Sequence, residues 1–307
     1  LYLYLEIKEL DMANREYPTD QEAKQLILEV GRRMYQKDFV AANDGNITCK
    51  VDDDIIWATP TGVSKGFMTE DMLVKMYLDG RIIRQGDIGP SSEVQMHLRI
   101  YRENPEVGGV THAHPPICTS YAIAGISLDK AIYPEALVNL GTVPCVRYET
   151  PGSAELPDTV APYCRDYNAL LLANHGAVSW GKTLMEAFWR LESMEHYARV
   201  LMYTGSIIGK ANVLSCDQVS ELIDIRTRMG TTAGGIPPCA PRPSNITDVL
   251  SSHSPMGMET AGEQTIKTYQ PLQQRASSEG LALESGLSAE DIERVREAVI
   301  NRLRGNS

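Results

Sequence analysis

Thr111-His112-Ala113-His114-Pro115-Pro116, followed much later by Asn174-His175-Gly176, is the stretch whose reading decides the fold. In a strand, successive side chains point to opposite faces, so His112 and His114 would share one face with Ala113 turned away. Two imidazoles presented that way can grip one metal ion, and a third from a distant segment completes a set of three nitrogens. Three protein ligands leave one coordination position open, which a catalytic zinc needs and a structural zinc does not. Alone, an H-x-H pair reads more simply as two ordinary polar residues; the rest of the chain reverses that balance.

Outward from this stretch, Gly109-Val110-Thr111-His112 predicts a short strand that Pro115-Pro116 ends, and residues 117–124 can form a helix. Ala169-Leu170-Leu171-Leu172-Ala173 is a continuous apolar run, the mark of a strand buried on both faces, with His175 at its end. Residues 19–37 carry Ala23, Leu26, Ile27, Val30 and Met34 at helical spacing. Asn43-Asp44-Gly45-Asn46 is a turn cluster before a strand over 47–51, and Asp52-Asp53-Asp54 turns it into a second strand over 55–59. Pro60-Thr61-Gly62 reads as a loop, and Pro90-Ser91-Ser92 introduces a helix over 93–103. A long helix over 184–203 holds Trp189, Met194 and Tyr197. Interspersed strands and helices predict an α/β layered domain ending near Met229-Gly230.

Composition narrows the partners. Of 307 residues, 43% are hydrophobic and 22% charged, so a sizeable core is possible, in one large domain or two small ones. A net charge of -11 argues against a nucleic-acid partner, which wants clustered Lys and Arg. No apolar run approaches the ~20 residues that span a bilayer. Cys49, Cys118, Cys145, Cys164, Cys216 and Cys239 are scattered without a C-x-x-C pair, and are expected to be reduced thiols of a cytoplasmic protein. Residues 1–18 read as an N-terminal extension in which Met12 makes a more natural start than Leu1. The preceding residues read as upstream translation or a cloning remnant, being too short and acidic for a secretory signal.

Beyond Gly230 the composition changes. Residues 231–286, rich in Gly, Pro, Ser and Thr, are expected to be a flexible, disordered linker. Residues 287–307 then read as an amphipathic helix: Ser288 is the N-cap, Glu290 and Asp291 lie in the first turn, and Ile292, Val295, Val299 and Leu303 form the stripe. A helix so short on a long tether wants a partner.

Gly45-Asn46, Thr61-Gly62 and Ser91-Ser92 are three clusters of small residues, each a turn when read alone. Converged, their hydroxyls, amides and backbone N–H groups would cradle a phosphate without Lys or Arg. Glu93 follows directly, so an acid would sit beside that phosphate and near the metal as a general base. Read alone, it is a first-turn acid favoured by the helix dipole.

These five motifs, in this order and spacing over residues 19–230, resemble the class II aldolase/adducin family, and most of all its zinc-dependent fuculose-phosphate aldolases. The resemblance implies a three-layer αβα fold with a central, mostly antiparallel sheet, and a homotetramer with active sites between subunits. It implies His112, His114 and His175 as Zn2+ ligands and Glu93 as the acid/base. Asn46, Thr61, Gly62, Ser91 and Ser92 become phosphate contacts, with Gly45 shaping its loop. Tyr133 resembles a catalytic tyrosine donated across the interface, while His97, His196 and His253 match no ligand position. The activity implied is cleavage of a ketose 1-phosphate, of fuculose or rhamnulose type, to dihydroxyacetone phosphate and lactaldehyde. Pentulose-phosphate 4-epimerase or methylthioribulose-phosphate dehydratase chemistry on the same fold stays open, as does a non-catalytic adducin-like scaffold. Pro151-Gly152-Ser153 matches no family motif. The tail resembles encapsulation peptides that direct cargo to the shell proteins of bacterial microcompartments; the other reading is a helix that docks on its own tetramer.

Overall fold

Side-chain alternation sets the architecture. In β1 (Asn46–Asp52), Ile47 and Cys49 turn into one apolar cluster while Thr48 turns away from them. In β7 (Ala169–Leu172), Ala169 and Leu171 join that cluster, and Leu170 and Leu172 join a second one. A sheet with two apolar faces needs cover on both.

The computed structural model describes residues 17–239. Its other strands are β2 (Ile55–Ala58), β3 (Val74–Tyr77), β4 (Ile82–Arg84), β5 (Gly109–Ala113), β6 (Cys145–Val146) and β8 (Gly176–Gly181). They form one sheet in the order β4-β3-β2-β1-β5-β8-β7-β6, antiparallel throughout except for the β6–β7 pair. Helices α1 (Asp20–Gln36), α3 (Pro116–Ile123), α4 (Pro134–Asn139) and α6 (Leu184–Met202) supply the cluster on the Ile47 face. Helices α2 (Val94–Glu103) and α5 (Leu156–Val160) supply the cluster on the other. This is the expected three-layer αβα fold.

Thr19 opens α1 with a capping box closed by Glu22. The helix then buries Ile27, Val30 and Met34 completely, which stabilises the fold by about 1.5–3 kcal/mol per side chain. Strand β5 lies inside the sheet between β1 and β8 and delivers His112. Its end is fixed by the buried Glu195 of α6, whose carboxylate accepts from the N–H groups of Ile117 (3.1 Å) and Cys118 (2.8 Å) at the start of α3.

Three expectations change. His114 lies beyond the last residue of β5 and not on the strand; its N–H donates to Phe39 O at 2.9 Å, so Phe39 and not a sheet neighbour holds it. Cys216 and Cys239 are joined in a disulfide and are not free thiols. The reason is tertiary: residues 231–239 fold back over the domain, where Gly234 O accepts from Thr142 N–H at 2.7 Å and Gly235 O accepts from Arg226 at 2.9 Å. That brings Cys239 to the first residue of α7 (Cys216–Arg228), with 5.0 Å between the two Cα atoms. These same contacts mean that the start of the expected linker packs as part of the domain. Cys49, Cys118 and Cys164 are buried free thiols and Cys145 a half-buried one. The rest of the linker, the helix expected over 287–307 and the start around Met12 lie outside the described residues.

Candidate metal centre

His112, fully buried on β5, directs Nδ1 at the Ala177 carbonyl of β8, 2.9 Å away. A donating Nδ1 leaves the Nε2 lone pair for a metal. His114 directs Nδ1 at Asp44 Oδ2, 3.2 Å away, with the same consequence. His175 sits in the turn between β7 and β8, where Asn174 takes φ +56, a left-handed conformation Asn tolerates. Gly176 follows because only glycine fits: a Cβ there would stand 2.5 Å from His114 Cδ2. The three ring centroids lie 4.7–5.1 Å apart, and each ring offers a nitrogen within 4.8 Å of the others.

Glu93 is the N-cap of α2 but bonds none of the helix's N–H groups with its side chain. Its carboxylate instead reaches the histidines, Oε2 lying 3.1 Å from His112 Nε2 and Oε1 3.2 Å from His175 Nε2. Yet Glu93 Oε1, His112 Nε2, His114 Nε2 and His175 Nδ1 are all buried with no hydrogen-bond partner. Polar atoms buried here without a hydrogen-bond partner, His114 Nε2 among them, are costly unless something charged joins them. Three imidazoles with a carboxylate beside them suit a divalent ion such as zinc with an open position. Burial opposes ionisation of Glu93, but His112 and His175 outweigh it and hold its carboxyl below the usual range. Burial, then the neighbouring His112 and His175, push His114 down to about 4, which keeps it a neutral ligand.

The three small-residue loops converge beside this centre. Asn46 Nδ2 donates to Ser91 Oγ (3.1 Å) and Glu93 Oε2 (3.2 Å), and its buried Oδ1 is unpaired. Thr59 O accepts from Ser91 N–H at 3.2 Å and Gly89 O from Thr61 N–H at 3.0 Å, which stitches the second loop to the third. Those two amides are therefore occupied, while Thr61, Gly62 and Ser92 stay exposed. Gly45, at φ +74, lets its loop lie on β5, for a Cβ there would meet His112 O at 2.7 Å. The unmatched Pro151-Gly152-Ser153 turn lies here too, with an ideal Gly152 Cβ 3.5 Å from Ser92 Cβ.

Tyr133 stands apart. It is the half-buried N-cap of α4, its ring 5.7 Å from His196 and 6.5 Å from Tyr197, and no hydrogen bond or ring contact joins it to the three histidines. His97 is buried, pushed down to about 3 chiefly by burial, with Nδ1 2.9 Å from Thr48 Oγ1. His196 is exposed, and His253 lies outside the described residues. Sequence reasoning missed Asp44, read there only as a turn residue, and the Ala177 carbonyl. An acid beside a loop glycine was the one signal for the first; the second carries none.

Residues 25–202 match the family described as the class II aldolase and adducin N-terminal domain. A 3-oxo-tetronate 4-phosphate decarboxylase of Pectobacterium atrosepticum is 34% identical over 208 residues, which span 66% of this chain and 94% of the relative. An L-fuculose phosphate aldolase of Methanococcus maripaludis is 33% identical over 173 residues, 56% of this chain and 92% of the relative. The solved structure of an L-fuculose 1-phosphate aldolase superposes with a TM-score of 0.62 at 25% identity, covering 71% of this chain and all of that one (100%). With fold, ordered motifs and family match in agreement, the chain belongs to the class II aldolase/adducin family.

Proposed function

We propose that this protein is a zinc-dependent lyase that cleaves the C3–C4 bond of a ketose 1-phosphate of fuculose or rhamnulose type, giving dihydroxyacetone phosphate and lactaldehyde. The observation that carries this reading is the convergence of His112, His114 and His175 on Glu93, beside the Asn46–Ser91 contact. Zinc held by the three histidines supplies Lewis-acid stabilisation of the negative charge that bond cleavage leaves on the donor fragment.

The chain's own groups do the rest. Asn46, Thr61, Gly62, Ser91 and Ser92 hold the phosphate, distant from the reacting carbons, and so orient the donor half. Glu93, which directly follows the phosphate loop, takes up a proton from solvent and delivers it to C3, its carboxylate being restored as it does so. Its hydrogen bond from Asn46 and the buried surroundings keep it aimed. The aldehyde half needs its C4 hydroxyl proton removed; Tyr133 of a neighbouring subunit is assigned that role in a homotetramer. The amphipathic residues 287–307 support carriage of this enzyme in a bacterial microcompartment, since lactaldehyde is toxic.

A second reading is favoured by the Pectobacterium relative. Decarboxylation of a 3-oxo-tetronate 4-phosphate leaves the same three-carbon phosphate, but its leaving group departs as carbon dioxide and needs no base. The metal and phosphate machinery would serve both reactions; the far side of the site decides. Incubation of the zinc-loaded protein with fuculose 1-phosphate, rhamnulose 1-phosphate, ribulose 5-phosphate and 3-oxo-tetronate 4-phosphate, followed by product analysis, separates aldolase, epimerase and decarboxylase. A protein without stoichiometric metal that turns over none of them would be a scaffold.

A further inference from the structure

Lys65 is 2% exposed, and its ammonium is taken up by two backbone carbonyls, Asn43 O at 2.8 Å and Val63 O at 2.6 Å. A buried lysine is unfavourable unless its donors and charge are answered, and a methionine would fill the same space without that cost. Two of its three N–H groups are used, and among the described residues no carboxylate pairs with it directly. The two carbonyls belong to different loops. Asn43 begins the Asn43-Asp44-Gly45-Asn46 turn, and Val63 directly follows Thr61-Gly62. The ammonium is therefore a tie between two of the three loops of the phosphate cradle.

The charge has a role as well. Residues 43–46, 59–63 and 89–93 contain no Arg or Lys, but they do contain Asp44 and Glu93. A phosphate dianion brought between these loops meets two carboxylates. Asp44 and Glu93 both act on Lys65, favouring its charged form against the burial that pushes it down to about 8. The loop that carries Lys65 is also fixed to the core: the Gly31 backbone of α1 lies so close that a Cβ there would be 2.5 Å from Lys65 O.

We propose that Lys65 is a positioning residue for the substrate phosphate, holding loops 43–46 and 61–63 at the spacing the dianion requires and setting a fixed positive charge behind them. This rests on the phosphate-binding reading above. The test is calorimetric titration of inorganic phosphate into zinc-loaded full-length protein, for wild type, K65M, K65Q and K65R. Loss of a charge-assisted tie should weaken phosphate binding about tenfold or more in K65M and K65Q, with zinc content unchanged. Steady-state kinetics should show the loss in KM for the phosphorylated substrate more than in kcat, which a general loss of structure would not do. K65R, which keeps the charge, should recover most of the affinity. Phosphate binding by K65M or K65Q equal to wild type would overturn the proposal while leaving the functional reading intact. No phosphate binding by wild type would overturn the functional reading, and this proposal with it.

Discussion

Gly176 lies against the imidazole of His114 so closely that a methyl group in place of its hydrogen would stand 2.5 Å from Cδ2 and 2.6 Å from the Ala113 carbonyl. The glycine of the Asn174-His175-Gly176 motif thus serves a histidine on a different strand connection. Gly176→Ala should push His114 out of place with the fold retained, because the ring sits at the edge of the core and not within it. We expect zinc affinity to fall by at least about tenfold, the low end of what disturbing a ligand's support does; a competition assay with a chromophoric chelator checks it.

Asp44 acts on the same ring from the other side, 3.2 Å from Nδ1. Asp44→Asn can present its amide the wrong way round and loses the charge that strengthens the ligand. Zinc affinity should drop by about 10–100-fold. His112→Ala, which removes a ligand outright, should leave no stoichiometric zinc under the same conditions.

Glu93→Gln separates proton transfer from metal binding. The variant retains size and the contact with Asn46, but cannot exchange a proton. Turnover should fall by about 10²–10⁴-fold with zinc still bound, the span expected when a positioned acid/base is removed. Metal analysis and kcat measured on one preparation test this together.

Phosphate affinity should depend on pH through Lys65. Its ammonium, pushed down to about 8 by burial against the opposing pull of Asp44 and Glu93, is charged below that pH and neutral above it. The sign is therefore a loss of affinity as pH rises from 7 to 9. The measurement uses a phosphate ester, whose second ionisation near 6 makes it a dianion over this range, so the ligand does not account for the change. The fall should be absent in K65R, whose guanidinium stays charged.

Tyr133→Phe should distinguish the two reactions. Aldol cleavage needs a group to take the C4 hydroxyl proton, and loss of a general base lowers rate by about 10²–10⁴-fold. Decarboxylation needs none, so the same variant should decarboxylate within about threefold of wild type. Parallel assays with fuculose 1-phosphate and 3-oxo-tetronate 4-phosphate read the difference.

Much of this site was legible because its parts carry local signals. The helix before β1 declares itself by the spacing of Ala23, Ile27, Val30 and Met34, and β7 by its unbroken apolar run. The five motifs stand out since each pairs a chemically capable side chain with a small residue, and the structure gives the reason: Gly45 and Gly176 are where backbone and ring approach too closely for a Cβ. What was illegible is non-local. Strand β8, Gly-Ala-Val-Ser-Trp-Gly, mixes small and polar residues and is buried only because β5 and β7 flank it. Strand β3, Val-Lys-Met-Tyr, is short and carries a lysine that pairs with Asp20 on α1. The Cys216–Cys239 bond depends on the return of residues 231–239 over the domain, which no spacing encodes. Lys65 was unremarked for the same reason, since its partners are backbone carbonyls and carry no sequence identity.

The central claim is that a metal held by His112, His114 and His175 is required to break a carbon–carbon bond in a phosphorylated substrate. Zinc titration of chelator-stripped protein, with released dihydroxyacetone phosphate followed by a coupled reductase assay on fuculose 1-phosphate and 3-oxo-tetronate 4-phosphate, addresses it directly. The account predicts that release with at least one substrate rises in proportion to zinc and saturates at one ion per chain, and that His112→Ala gives none at any zinc level. Release that is undiminished in stripped protein, or in His112→Ala, would contradict it.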